Sequence, residues 1–140
     1  ITDIFVYDNY EKAGPIGGIL SVFENTDVDR FAIVSVDVPF ADMRVLSALH
    51  DICRKGVCKL VFKRHAPEPL IAAYDRIAYD IIKESYESGQ RRLRNIAPLQ
   101  FTEVVTDDEL KCFDPSLVGT DLEKAFRNFN TQDELRGLYD

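Results

Sequence analysis

The chain has 140 residues, with 24 acidic and 17 basic side chains, a formal charge of −7 and an apolar fraction of 46%. That composition is globular and excludes a disordered tail, and the length admits one domain with its own core. The acidic balance argues against general binding to nucleic acid or anionic membranes. No apolar run is long enough for a transmembrane helix. A local basic pocket for one nucleotide stays open. Cys53, Cys58 and Cys112 fit no common zinc spacing and read as reduced thiols of a cytoplasmic protein.

In chain order, residues 4–7 read as a strand ending at Asp8. Gly14-Pro15-Ile16-Gly17-Gly18 is a turn, and residues 19–23 form a helix. Residues 31–36 are almost continuously apolar between charged neighbours, the pattern of a strand buried on both faces of a parallel sheet. Pro39 stops that strand. Residues 42–55 form a helix, with Val45, Leu46, Leu49, Ile52 and Cys53 on one face and Gly56 closing it. Residues 59–62 and 70–74 are strands. Residues 76–88 form a helix with Ile77, Ile81 and Ile82 on one face and Gly89 at its end. A short helix over 92–96 and a strand over 101–105 follow. Residues 106–121 read as a loop, given Asp107-Asp108, Pro115 and Gly119. Thr131-Gln132-Asp133-Glu134 is a capping box that starts a last helix running to Leu138. Alternating strands and helices predict an α/β domain with a mostly parallel sheet.

Four features can carry chemistry. Asp37 follows directly on an apolar strand, and ligands of open α/β sheets bind beyond the carboxyl ends of strands. One aspartate there can hold Mg²⁺ while substrate phosphates supply other ligands; capping of the next turn is an equal reading. In residues 14–18, three glycines let backbone approach a ligand at a helix N-terminus, although taken alone a tight turn explains them better. Arg91, Arg92 and Arg94 form a positive cluster whose forks match phosphate oxygens; without further context a solvated helix end is the simpler reading. Asn128 and Asn130 alternate, so both side chains share one face of an extended segment. They suit a heterocycle or phosphate, against the turn chemistry that asparagine also serves. His50, His65 and Cys53 read as structural rather than catalytic residues.

Taken in order, these motifs resemble the molybdenum cofactor guanylyltransferase family. Asp8 followed by Gly14-Pro15-Ile16-Gly17-Gly18 is similar to that family's Asp and Gly-Pro-Leu-x-Gly loop. Ser35-Val36-Asp37-Val38-Pro39 resembles its Cys-Asp-x-Pro metal motif, with Val for Cys. Glu68-Pro69-Leu70-Ile71-Ala72-Ala73-Tyr74 resembles its Pro-Leu-x-Ala-x-Tyr strand, and Gly89-Gln90-Arg91-Arg92-Leu93 its Gly-x-Arg-x-Leu segment. Residues 126–135 resemble its terminal Phe-x-Asn-x-Asn-Thr-x-x-Glu-Leu motif.

The resemblance implies a Rossmann-like nucleotidyltransferase fold that transfers GMP from GTP to the terminal phosphate of molybdopterin, with Mg²⁺, releasing pyrophosphate. Asp37 would hold the metal, and Asp8, Gly14, Pro15, Gly17 and Gly18 would contact the guanine nucleotide. Arg91 or Arg92, with Asn128 and Asn130, would hold the pterin side, and Pro39 would line the cleft. Other cofactor-biosynthesis proteins or molybdoenzymes are the macromolecular partners it suggests.

The family opens with a Gly-Gly, Ser, Arg-Met-Gly, Asp-Lys phosphate loop that nothing in this chain matches. Residues 1–140 are therefore expected to be the C-terminal two-thirds of such a domain, inactive on their own and inclined to oligomerise through uncovered strand edges. Related readings are a nucleotidyltransferase that uses CTP or another acceptor, and a non-catalytic binding module that has lost the phosphate loop. A purely structural domain leaves the ordered motifs unexplained.

Overall fold

The computed structural model describes residues 7–63, 66–95, 102–129 and 136. Gly14 holds φ +64° and ψ −151°, a region that only glycine enters without strain. Pro15 follows with its φ already set for a helix, and helix α1 (Pro15–Asn25) starts there. Gly17 and Gly18 are thus helical rather than part of a turn. One face of α1 buries Ile16, Ile19, Leu20 and Phe23. Strand β1 spans Arg30–Val34.

Asp42 caps helix α2 (Met43–Ile52), its carboxylate accepting from the Arg44 N–H at 2.9 Å. This helix ends before Gly56. The Cys53 N–H closes onto the Leu49 carbonyl, and Gly56, at φ +83°, serves a turn in which Val57 N–H donates to the Arg54 carbonyl. Strands β2 (Cys58–Lys63) and β3 (Ala66–Asp75) are separated by two residues, a span short enough to demand an antiparallel return. Helix α3 (Ala78–Glu87), a 3₁₀ turn at Leu93–Asn95 and strand β4 (Thr102–Val105) follow. In α3 the buried face is Ala78 and Ile82, whereas Ile77 precedes the helix and is exposed.

Residues 106–121 are not a loop. They hold helix α4 (Asp107–Phe113) and a 3₁₀ turn at Pro115–Leu117, with helix α5 (Leu122–Ala125) directly after. Thr106 accepts from the Glu109 N–H at 3.2 Å, and three acidic residues occupy the first turn of α4, where the helix dipole favours them. Of the expected strand at 4–7 only Tyr7 is described, and of the expected last helix only Arg136; the rest lies outside the described residues.

The strand order is β1-β3-β2-β4. β3 pairs antiparallel with both β1 and β2, and β2 pairs parallel with β4. Three strands therefore point one way and β3 alone runs against them. The α/β class holds, with mixed pairing because the short β2–β3 link forces one reversal. Alternation along the strands splits the core into two layers. Cys58, Leu60, Ala72 and Tyr74 join the residues of α1 and α3; Val61, Ile71 and Ala73 join those of α2, α4 and α5. All five residues of β1 are half-buried rather than buried on both faces, since β1 ends the described order and has one strand neighbour.

Burial pushes the Cys53 thiol up to about 11 and that of Cys58 up to about 12, so neither is a nucleophile at neutral pH. No helix among the described residues is long and apolar enough to cross a membrane.

Three carboxylates sit below their ordinary range. Hydrogen bonds from Arg44 hold Asp42 down, and the Lys59 ammonium does the same for Glu103. Partial burial pushes Glu24 upward, but hydrogen bonds from Tyr10, Tyr79 and Asn9 outweigh it. A carboxylate that is a stronger acid when folded adds stability above its unfolded value, near about pH 4, and loses it as pH falls through the folded value. Asp107, raised by burial, acts in the opposite sense. The urea midpoint is expected to fall steadily below about pH 4. A midpoint that held or rose toward more acid pH would contradict this assignment.

Candidate functional site

Beyond β1 the ladder continues for one residue, with the Ser35 N–H donating to the Leu70 carbonyl at 3.0 Å. The chain then turns, Val38 N–H donating to the Ser35 carbonyl at 3.3 Å. Asp37 sits in this turn, half-buried, next to a fully exposed Val36. Its Oδ1 accepts from Ser35 Oγ at 2.5 Å and its Oδ2 from Asn128 Nδ2 at 3.1 Å. Its backbone carbonyl accepts from the Phe129 N–H at 2.7 Å. Phe129 is buried and packs edge-on against Phe40, with centroids 5.8 Å apart, while the Lys124 ammonium lies 4.8 Å from the Phe40 centroid. Pro39 is exposed beside them.

Asp37 and Asn128, both singled out from the sequence, therefore touch. Asn130 lies outside the described residues. The donor set suits a particular kind of cation. Among the described residues no group of three or more His, Cys, Asp or Glu side chains is arranged to hold a metal ion by itself, so Asp37 belongs to no protein-only cage there. A single carboxylate whose two oxygens each accept one neutral donor keeps its charge and a lone pair on each oxygen. It fits Mg²⁺, which usually takes one or two carboxylates and completes its shell with water and phosphate oxygens.

The loop before α1 is built differently. Asp8 Oδ1 accepts from the Tyr10 N–H at 2.7 Å and from Ser21 Oγ at 3.3 Å, and Asn9 N–H donates to Ser21 Oγ at 2.8 Å. Asp8 thus fastens its loop to α1. Tyr10 and Tyr79 hydroxyls donate to Glu24 Oε2 at 2.6 and 2.5 Å, and Lys83 Nζ donates to the Tyr10 hydroxyl at 2.5 Å. A Cβ on Gly17 would meet Asp8 Oδ1 and the Cβ atoms of Ala13 and Tyr10, each at 3.0 Å. One on Gly18 would meet nothing within 4 Å. Gly17 is small so that the loop can close on the helix, and Gly18 leaves open surface.

Gly18→Ala is accordingly expected to raise the thermal midpoint, since alanine gains up to about 1 kcal/mol over glycine in a helix. Gly17→Ala should lower it, because overpacking costs about 1–3 kcal/mol against the same gain. Circular dichroism melts of both variants check this; equal upward shifts would refute the packing role of Gly17.

Arg91 stacks its guanidinium 3.8 Å from the Tyr86 ring centroid and donates to the Tyr86 carbonyl, and both Arg91 and Arg92 are exposed. Among the described residues no hydrogen bond or ion pair joins either arginine to Asp37. The Arg94 side chain lies outside the description. Sequence reasoning passed over Ser35 and Ser21 as ligands of the two aspartates. The one local signal was the position of Ser35 two residues before Asp37, close enough in sequence for a local hydrogen bond between the two side chains.

A mixed sheet with helices on both faces, and a metal-competent aspartate at a strand's carboxyl end, is a frame on which α/β proteins handle nucleotides. The chain belongs to the MobA-like NTP transferase domain family, whose model matches residues 3–104. It is 24% identical over 136 residues to a protein of Methanosarcina mazei named "Probable molybdenum cofactor guanylyltransferase", covering 96% of this chain and 58% of that one. A Bacillus subtilis protein of the same name is 21% identical over 122 residues, covering 75% of this chain and 61% of its own length.

Among solved structures, the chain is similar to molybdopterin-guanine dinucleotide biosynthesis protein A from Archaeoglobus fulgidus, with a TM-score of 0.71 and 25% identity over 95% of this chain and 65% of that one. An Aquifex aeolicus protein shares the fold at a TM-score of 0.69 and 15% identity, over 91% of this chain and 62% of that one. The chain spans about three fifths of the length of the curated relatives it matches. The family match thus places it among MobA-like NTP transferase domains.

Proposed function

We propose that this chain carries the metal and acceptor side of a guanylyltransferase site that moves GMP from GTP to the terminal phosphate of molybdopterin. An acceptor phosphate oxygen bonds to the α-phosphorus of GTP, the bond from that phosphorus to the bridging oxygen breaks, and pyrophosphate leaves. The observation that supports this most is Asp37, held at the carboxyl end of β1 by Ser35 and by Asn128 from the far end of the chain. Mg²⁺, when bound there, would neutralise charge on the phosphates. The chain's own contribution is to hold one carboxylate in a fixed direction, because such transfers depend on positioning and charge compensation.

In this reading Asp8, Gly14, Pro15, Gly17 and Gly18 border the nucleotide, with Gly18 allowing close approach. The exposed forks of Arg91 and Arg92, with Asn128 and Asn130, serve the pterin phosphate, and Pro39 lines the cleft. The guanine and molybdopterin specificity follows the names of the relatives. We take the chain as the C-terminal two-thirds of the domain, so that turnover requires the family's phosphate loop to be supplied. Its unpaired thiols suit the reducing cytoplasm.

The test joins this chain to a phosphate-loop part of the domain and offers GTP or CTP with molybdopterin. Mg²⁺-dependent GMP transfer, preferred over CMP, is the expected result. Preferred CMP transfer would move the assignment to a CTP-using relative, and binding without transfer would favour a non-catalytic module.

A further inference from the structure

Asp37 has a built-in support that the motif resemblance does not include. Ser35 is anchored from both sides, its N–H on the Leu70 carbonyl of β3 and its own carbonyl accepting from Val38. The sheet therefore fixes where the Ser35 hydroxyl stands. Val36 is fully exposed between the two residues, inside the turn that the Val38 N–H to Ser35 carbonyl bond closes. The hydroxyl meets Asp37 Oδ1 at 2.5 Å, and the Asn128 amide meets Oδ2 at 3.1 Å. A half-exposed aspartate without such donors would sample several rotamers and lose that freedom on binding a cation.

We propose that Ser35 is a positioning residue for Asp37, and that its hydroxyl, acting opposite the Asn128 amide, pre-orients the carboxylate for a divalent cation. The inference rests on the reading of Asp37 as the metal carboxylate. Both donors are neutral, so they steer the carboxylate without cancelling its charge. Groups that orient a ligand in this way typically alter metal affinity 10- to 100-fold when removed.

The test is a Mn²⁺ titration of the full chain, read by electron paramagnetic resonance as loss of the free-ion signal. Ser35→Ala should weaken Mn²⁺ binding about tenfold. Ser35→Thr, which keeps the hydroxyl, should bind like the unaltered chain. Ser35→Cys, which keeps the size but donates weakly, should resemble Ser35→Ala and serves if the alanine variant folds poorly. Asp37→Asn should abolish the site. Circular dichroism confirms that each variant compared is folded. Unchanged affinity in Ser35→Ala or Ser35→Cys, with binding lost in Asp37→Asn, would overturn the positioning role and leave Asp37 as the ligand. Unchanged affinity in Asp37→Asn, or no binding by the unaltered chain, would overturn the metal reading beneath it.

Discussion

Asp37→Ala is expected to lower Mg²⁺-dependent GMP transfer by at least about 100-fold, in a protein that supplies the phosphate loop, while the fold persists. The size follows from what the carboxylate would do: holding the cation that offsets phosphate charge contributes several kcal/mol to the transition state. The structural cost is small by comparison. The substitution removes two side-chain hydrogen bonds, each with a net contribution of about 1 kcal/mol, from donors that water can still reach. The backbone bond from the Phe129 N–H to the Asp37 carbonyl is retained, because it does not involve the side chain. Pyrophosphate release gives the rate and circular dichroism the fold. Near-normal turnover in a folded Asp37→Ala variant would remove Asp37 from the mechanism.

Leu49→Ala should produce the largest loss of stability, about 2–5 kcal/mol in urea unfolding. Leu49 is fully buried in α2 and shares a cluster with Val38, Val45, Ala125 and Phe126. That cluster underlies both the turn carrying Asp37 and the helix leading to Asn128. Domains of this kind hold only about 5–15 kcal/mol in total, so the variant should be partly unfolded at physiological temperature. Leu49→Met, which conserves volume, should cost less than about 1.5 kcal/mol. Equal losses in the two variants would show that residual space at this site is not what sets the cost.

The elements that could be read from the sequence were those with a strong period. The apolar face of α2 follows from such a pattern. The reversal between β2 and β3 was not anticipated: residues 59–62 and 70–74 read as strands of a mostly parallel sheet, whereas β3 runs antiparallel to both its neighbours. Helix α4 was missed because its acidic first turn resembles a polar loop, although Thr106 and Glu109 form a capping pair that marks it. The half-burial of β1 was not legible, since an apolar strand looks the same at the end of a sheet as at its centre. Asp37 stood out at once, as a carboxylate just past a strand. Its partnership with Asn128 did not, because 91 positions separate them and tertiary contacts, the Phe129 N–H on the Asp37 carbonyl and the packing of Phe129 on Phe40, bring them together. Gly17 and Gly18 are likewise indistinguishable as letters. Only the Asp8 loop closing over one of them assigns different work to each.

The most direct test of a cation and nucleotide site at the end of β1 is paramagnetic broadening of backbone amide signals by Mn²⁺ with GTP. The loss of signal is expected to centre on residues 35–39 and 128–129, to extend toward Gly18, and to disappear in Asp37→Asn. Broadening centred elsewhere, or unchanged by that substitution, would contradict the account.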